Sequence, residues 1–365
     1  MTEFCYTLDM PEEDLKQILE TAIRAPSGDN CQPWRFRVKE NVIELFNQPE
    51  ADDTPYNFRQ LGSMVSHGTV IESIIIKAST LGYRSEVILF PSVEDQNFIA
   101  RITLIKDQDI TPDSLSPFLS LRGTNRKPFK TDSLSPEEIR TLMSAGDSSF
   151  KLITDEVKIK SLVKAASANE ILLFRNKKTH YHFFKILRWT EKEATEHPDG
   201  FFIKTLELKP PEEKAMRLIS HWPIAKILSF LGVNKKIAAT NTATFSHCGA
   251  IGLITAVNYD KLSYIQIGRV LARVWLTATQ LGLSLQPLAG LLFFAHRVLI
   301  DPNDSLLNQE EKKIASQSYK EIQEVSNIQN QPIAMMFRLG HQNEPPSAIS
   351  ARYDLNHYLI PMLLI

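Results

Sequence analysis

Two arginines and a hydroxyl lie within five residues of each other in the segment RGTNRKPF (122–129). Arg122, Thr124 and Arg126 are followed by further basic residues at 127 and 130, although the whole chain has a net charge of only −1. The planar fork of a guanidinium matches the oxygens of a phosphate. The segment therefore predicts a phosphate site, and a solvated basic loop is the alternative.

A second segment, APSGDNCQPWRF (25–36), follows directly after a predicted helix. Its small and polar residues can present backbone and side-chain donors to a flat polar ligand, with Trp34 anchoring the loop. The candidate binding residues are Pro26, Ser27, Gly28 and Asn30. Read alone, the segment is also typical of an ordinary helix-ending turn.

A third segment, QPLAG (286–290), offers backbone groups. Its proline and glycine allow a tight turn with exposed amides that can face the acceptor atoms of a cofactor. The candidates are Gln286, Pro287, Leu288, Ala289 and Gly290. A fourth segment runs from Arg338 through a Pro-Pro loop to Arg352, near the end of the chain. Arg352 either closes the phosphate site or is a surface arginine.

The elements that must position these segments form a repeat. Apolar spacing from Leu15 to Ile23 predicts a first helix, with Asp9 and Glu12 as a capping box. A hairpin (WRFRV and NVIELF) is predicted to turn at 39–41, followed by a helix over 68–82 and a strand over 99–105.

The second part of the chain has the same plan. Ser135 and Glu138 form another capping box. GRVLARVWLTATQLG, from Gly268, matches GTVIESIIIKASTLG, from Gly68, at an offset of 200, with five identities. The strand at 99–105 matches 333–340. We therefore predict a tandem duplication with its boundary near Thr111–Pro117, giving a first half over 1–112 and a second over 113–365.

Residues 155–245 have no counterpart in the first half. Their composition predicts helices broken at 197–200 and 209–211. An insertion of this size in one copy of a repeat is either a lid over a site or a structural cap.

Bulk composition limits the classes of function. A hydrophobic fraction of 43%, a charged fraction of 23% and a pI of about 6.8 are those of a globular protein without nucleic-acid or membrane partners. Three scattered cysteines indicate a reducing compartment, and no secretory signal or spanning segment is visible. These features predict a cytoplasmic protein without a metal site.

Taken together, the four segments resemble the nitroreductase family. Members of that family carry an R-x-S-x-R/K-x-F motif, an A-P-S-x-x-N-x-Q-P-W loop, a P-x-[EAG]-G segment and a C-terminal R-x-G…P-P…S-x-R stretch. Here Thr124 replaces the motif's serine and one residue is inserted before Phe129. The fused halves resemble the long single-chain form typified by the mycobacterial Acg group.

The resemblance implies an α+β, nitroreductase-like fold with two fused copies that form an intramolecular pseudo-dimer. It implies FMN as cofactor, with Arg122, Thr124, Arg126 and Arg352 at its phosphate and ribityl chain. The QPLAG amides would then face the ring, and the loop of the first half would reach in from the other side. Each half lacks the segments that the other keeps, so one FMN per monomeric chain is expected.

The function implied is reduction of a small electron-poor acceptor, such as a nitro compound, quinone or activated alkene, with NAD(P)H as electron donor in a ping-pong cycle. No catalytic residue is assigned, because the flavin supplies the chemistry; His67 and His247 are interpreted as structural. Two alternatives stay open: a flavin-sequestering or storage protein with little turnover, and a dedicated dehydrogenase for one metabolite or peptide.

Overall fold

The computed structural model describes residues 10–361. In the first part of the chain, a helix followed by two strands occurs twice. These elements are α1 (Glu12–Ala22), β1 (Trp34–Lys39), β2 (Val42–Asn47), α2 (Leu61–Thr80), β3 (Tyr83–Leu89) and β4 (Phe98–Lys106). The predicted turn at 39–41 is confirmed, with Glu40 in the left-handed region at φ 55°. Asp9, predicted to cap α1, lies outside the described residues.

The second part begins with α3 (Pro136–Ala145) and β5 (Phe150–Ile153), and the predicted capping box of Ser135 and Glu138 is confirmed. It resumes after the insertion. The later elements are β8 (Ala250–Thr255), α11 (Lys261–Gln280), β9 (Leu283–Pro287), α12 (Gly290–Ile300), α13 (Gln309–Ser326) and β10 (Ile333–His341).

The insertion lies between β5 and β8, and the predicted helices are confirmed. They are α4 (Glu156–Ala166), α5 (Ala168–Arg175), α6 (Lys177–Lys185), α7 (Glu191–Glu196), α8 (Pro210–Ile219), α9 (Trp222–Phe230) and α10 (Val233–Phe245), with β6 (Leu187–Arg188) and β7 (Phe201–Phe202) as a parallel pair. The predicted break at 197–200 separates α7 from β7. Pro210 and Pro211 begin α8, since proline suits the first helical turn.

Two four-stranded antiparallel sheets have the same strand order. The first runs β1-β2-β4-β3 and the second β5-β8-β10-β9, so each strand has a counterpart at the same place in the other sheet. The mixed helix-and-sheet class is confirmed. The duplication that would explain the identical orders, and the division into 1–112 and 113–365, stay predictions.

The helices α2 and α11 cross at the two glycines that identified the repeat. A Cβ added at Gly68 would lie 2.1 Å from the Ile265 carbonyl oxygen and 2.8 Å from the Gly268 Cα. A Cβ added at Gly268 would lie 2.0 Å from the Val65 carbonyl oxygen. The approach is therefore reciprocal, and backbone packs directly against backbone because neither residue has a side chain.

The two halves share one apolar core rather than two. The end of the chain returns to the first sheet, where the Ile360 amide donates to the Phe36 carbonyl oxygen at 2.7 Å. The segment 111–117 is a loop after β4, in which Asp113 pairs with Arg273 of α11 at 2.9 Å. Among residues 10–361, no helix combines the length and apolar character needed to cross a membrane.

Candidate functional site

Two of the predicted arginines meet at the end of α1. The Arg122 and Arg352 guanidiniums both donate to the Arg24 carbonyl oxygen, at 2.6 and 3.2 Å. Arg352 also donates to the carbonyl oxygens of Ile23 and Ala25, at 2.7 and 2.6 Å. The Arg122 guanidinium stacks over the Trp275 ring at 4.7 Å. Residues far apart in sequence therefore form one cationic cluster.

This cluster is cationic without acidic compensation. Among residues 10–361, no carboxylate forms an ion pair with Arg24, Arg122 or Arg352. Burial, with the charges of Arg352 and Arg24, lowers the pKa of Arg122 to about 9. Burial likewise lowers the pKa of Arg352 to about 10. Both guanidiniums stay charged at neutral pH, so an anion bound here would relieve their mutual repulsion.

The third predicted arginine, Arg126, lies against the insertion. It donates to the Thr205 carbonyl oxygen at 3.0 Å and stacks over the Phe201 ring at 5.2 Å. Burial lowers its pKa to about 10, and the charges of Glu207 and Asp29 oppose that shift. Thr124 pairs with Leu285 of β9, which places RGTNR beside the QPLAG strand.

The loop of residues 25–36 is pinned by Asn30. Its side-chain nitrogen donates to the carbonyl oxygens of Pro198 and Ala351, at 2.8 and 3.2 Å, and its Oδ1 accepts from Arg352 at 2.5 Å. Ser27 accepts from the Gln32 amide at 3.0 Å. Asp29, Asn30 and Gln32 have positive φ, so the chain coils tightly here.

In the same loop, the Pro26 carbonyl accepts from Thr69 of α2 at 3.3 Å, while Gly28 is exposed. The loop therefore connects α1, α2, the insertion and the C-terminal segment.

The QPLAG segment ends β9 and begins α12. The buried Gln286 accepts from Arg338 at 2.7 Å, and the Leu288 amide donates to the Met336 carbonyl at 2.8 Å. Pro287 pairs with Phe337 of β10. Ala289 and Gly290 stand at the N-terminal end of α12, where backbone amides point outward and favour negative charge.

Gly290 is the meeting point of three parts of the chain. A Cβ there would lie 2.5 Å from Asn169 Oδ1 of α5 and 3.2 Å from the Tyr56 ring. Within the described chain, the buried Asn169 Oδ1 and Glu170 Oε2 have no hydrogen-bond partner. Burial raises the pKa of Glu170 to about 7 and, with the charges of Asp29 and Glu170, that of Tyr56.

Sequence reasoning did not find Tyr56, Asn169 or Glu170. None of them lies in a motif, and only the folded chain brings Tyr56 and Asn169 to Gly290. Asp29 was inside the quoted loop but was not singled out. It pairs with His182 of α6 at 3.0 Å.

The insertion contacts each of the four predicted segments. Pro198 accepts from Asn30, Thr205 accepts from Arg126, and Asn169 packs on Gly290. It contacts the fourth segment as well, where Tyr353, next to Arg352, donates to Asp199 at 3.1 Å. The insertion therefore contacts all four segments.

Two histidines lie in structural settings. His67 is fully buried with Nε2 2.8 Å from Asn47 Oδ1, and burial lowers its pKa to about 3. His247 accepts through its backbone carbonyl from Arg338. A groove of about 450 Å³ over residues 112–120 is lined by none of the predicted site residues. In the described part of the chain, no group of three acidic, histidine or cysteine side chains forms a metal cluster.

Comparison with known proteins agrees with the motifs. The sequence model of the nitroreductase family matches residues 4–59. An uncharacterized protein of Mycobacterium tuberculosis is 20% identical over 95% of this chain and 48% of its own length. Another M. tuberculosis protein, named as a candidate NAD(P)H nitroreductase, is 28% identical over 44% of this chain and 46% of its own.

The chain is similar to proteins of the nitroreductase family. A further M. tuberculosis protein, acg, is 23% identical over 74% of this chain and 78% of its own length and also carries the NAD(P)H nitroreductase name. The resemblance to the family and to its long mycobacterial form is confirmed. The chain spans about half the length of the first curated relatives.

Solved structures with a similar fold include an FMN-bound nitroreductase of Bacteroides fragilis. Its TM-score is 0.34 at 9% identity, covering 69% of this chain and 97% of that one. The FMN-dependent nitroreductase NfnB of Mycobacterium smegmatis, solved with NADPH, has a TM-score of 0.37 at 14% identity, covering 66% and 94%.

Proposed function

We propose that the chain is an FMN-dependent oxidoreductase that reduces an electron-poor small molecule with NAD(P)H. The observation that carries the proposal is the cluster of the half-buried Arg122 and Arg352, which have no carboxylate partner in residues 10–361. Burying cations is costly unless a counter-charge is present, so the cluster suits a ligand that brings its own anion. The phosphate of FMN is such an anion, and relatives are named as nitroreductases.

The remaining contacts suit the rest of the same ligand. The N-terminal end of α12 at Ala289 and Gly290 presents backbone amides, which stabilise negative charge on an electron-rich ring. The buried Asn169 Oδ1 has no hydrogen-bond partner in the described chain, and an N–H of the bound ligand would supply one. Held by these residues, FMN would supply the redox chemistry that links NAD(P)H to a nitro compound, quinone or activated alkene.

In this proposal the chain's own residues bind FMN and exclude water from it. Arg122 and Arg126 would hold the phosphate, while Arg352 would fix the loop of Asn30 beside it, since that loop accepts one of its bonds. Thr124, Gln286, Pro287 and Leu288 would line the path between phosphate and ring. Pro26, Ser27 and Gly28 would approach from the first half.

We further propose that the two halves form an internal pseudo-dimer with one complete site. The loop of residue 30 comes from the first half, and Arg126 and Gly290 come from the second. The shared core supports this, because neither sheet is packed separately. The chain would then act as a monomer with one FMN.

A second candidate, a flavin-sequestering protein with little turnover, is favoured by the covering insertion. Contacts of Pro198, Thr205 and Asn169 with the motifs would restrict the entry of a second substrate. The two functions share the flavin site and differ in whether the insertion opens.

The experiment that separates them begins with the chromophore. The purified chain should release FMN on heating, identified by chromatography; FAD, or failure to bind FMN on reconstitution, would contradict the proposal. Anaerobic NADH or NADPH should then bleach the bound flavin within seconds, and a quinone or nitroaromatic should restore its colour. Dithionite, a small direct reductant, is the control. Bleaching by dithionite but not by either nucleotide would support sequestration instead.

A further inference from the structure

The insertion carries an apolar tip at the end of α9. Ile227, Phe230 and Leu231 are 63%, 92% and 70% exposed. They are spaced i, i+3 and i+4, so they share one face as α9 ends. Leu218 on α8, in the preceding helix, is 52% exposed. Large apolar side chains exposed together mark an interaction surface.

The charge around this tip is one-sided. Residues 214–259 contain five Lys or Arg residues and no Asp or Glu, although the chain as a whole has a net charge of −1. Arg217, one of the five, pairs with Glu213 just before this stretch at 2.9 Å, which leaves four lysines. Lys226 precedes the tip, and Lys235 and Lys236 follow it in the first turns of α10; all three are exposed. The pKa of Glu310 is lowered chiefly by Arg175, with which it pairs, and to a lesser extent by the charge of Lys235. The surface is therefore apolar at its centre and basic at its edge.

From this arrangement we infer that the α9–α10 tip docks on a lipid surface with anionic headgroups. Apolar side chains of this kind enter the boundary between headgroups and acyl chains, while lysines reach the phosphates. Attachment would be peripheral, because no helix among the described residues is long and apolar enough to cross a membrane. The expectation of no membrane partner came from the overall net charge, which hides this local excess.

A second copy of the chain fits the surface less well. A two-fold symmetric contact through this tip would bring the same basic residues of both copies together, with no acid between residues 214 and 259 to balance them. A protein partner would need a pocket shaped for Phe230, whereas a lipid boundary accepts protruding side chains without a matching shape.

The test uses the full flavin-loaded chain and flotation with vesicles. We expect binding to vesicles of phosphatidylcholine with phosphatidylglycerol and weak binding to phosphatidylcholine alone. The double variant F230S/L231S should lose at least about tenfold in apparent affinity, because both apolar anchors are removed. Replacing Lys226 and Lys236 by glutamine should cost about fivefold each, and higher salt should weaken binding further.

Matched controls lie elsewhere on the surface. Val93, 90% exposed in the loop between β3 and β4, gives V93S, and Lys320 on α13 gives K320Q; neither should change vesicle binding. All variants should keep the flavin content of the parent. Absence of flotation with anionic vesicles, or equal flotation of F230S/L231S, would overturn the inference. So would self-association in ultracentrifugation that F230S/L231S abolishes while vesicle binding is absent.

Discussion

The crossing of α2 and α11 gives a quantitative prediction for Gly268→Ala. The new Cβ would lie 2.0 Å from the Val65 carbonyl oxygen and 2.8 Å from the Gly68 Cα. Both atoms belong to the backbone, so no side chain can rotate away and the helices must separate by more than an ångström. The reciprocal change, Gly68→Ala, meets the Ile265 carbonyl in the same way.

The expected size combines two opposing effects. Overpacking a close-packed interior costs roughly 1–3 kcal/mol, and a backbone clash belongs at the upper end of that range. Alanine regains about 1 kcal/mol of helix propensity over glycine. The net loss is therefore about 2 kcal/mol. With an unfolding entropy of about 2.1 cal/mol/K per residue, that loss lowers Tm by about 3 °C for this chain.

The assay is thermal and urea unfolding of the apoprotein, followed by FMN titration. Gly123→Ala is the control, because its added Cβ meets no atom within 4 Å and its φ is not positive; its stability should stay within about 0.5 kcal/mol of the parent. FMN affinity should fall in Gly268→Ala, since the proposed site takes residues from both halves. An unchanged or raised Tm in both helix variants would refute the direct backbone contact.

Three further predictions concern the site and its surroundings. Arg126→Ala should weaken FMN binding on the order of 10- to 100-fold, because a charge-assisted phosphate contact is lost. The control in the same fluorescence titration is Arg37→Ala, which removes a surface arginine paired with Glu44. Equal FMN affinities of the two variants would reject the phosphate role of Arg126. Flavin content and solution mass should give one FMN per monomer even with excess FMN, while halves cut within Thr111–Pro117 should bind poorly; two flavins per chain would contradict the single-site reading. Burial raises the pKa of Asp52 to about 7, against an ordinary value of 3.8, so between these pH values the folded chain binds a proton that the unfolded chain does not. The stability that this proton contributes is full below about pH 4 and is lost as the pH rises through 7. Asp52→Asn should flatten that decline in urea unfolding, whereas Asn at the exposed neighbour Asp53 should not.

The two crossing helices were predictable because the evidence for them is local and periodic. Gly68 and Gly268 stand at the same position in two apolar helices, and spacing alone identified both. Sequence placed the start of α2 at Gly68, seven residues later than the observed Leu61. The first two turns contain Ser63, Ser66 and His67, whose polar side chains obscure the apolar pattern although they are buried.

The contacts of the insertion were not predictable. Pro198 lies in a loop and Thr205 and Asn169 lie in short helices, and each makes its contact with a segment at least 79 residues away. Two of these contacts use the backbone carbonyl of the insertion, which any residue can supply. Composition indicated helices and their breaks, but only the fold shows which motif each part covers.

The position of the arginines depends both on the locally predictable helices and on long-range contacts of the fold. Arg122 and Arg352 come from opposite ends of the second half, yet both donate to one carbonyl at the end of α1 in the first half. That carbonyl is held in place by the packing of α1 on α2, and α2 in turn rests on α11 through the glycine pair. The separation of α2 and α11 therefore sets the distance between the first-half loop and the second-half arginines. A side chain at the crossing should for this reason disturb anion binding as well as stability, although no residue of the crossing belongs to the site.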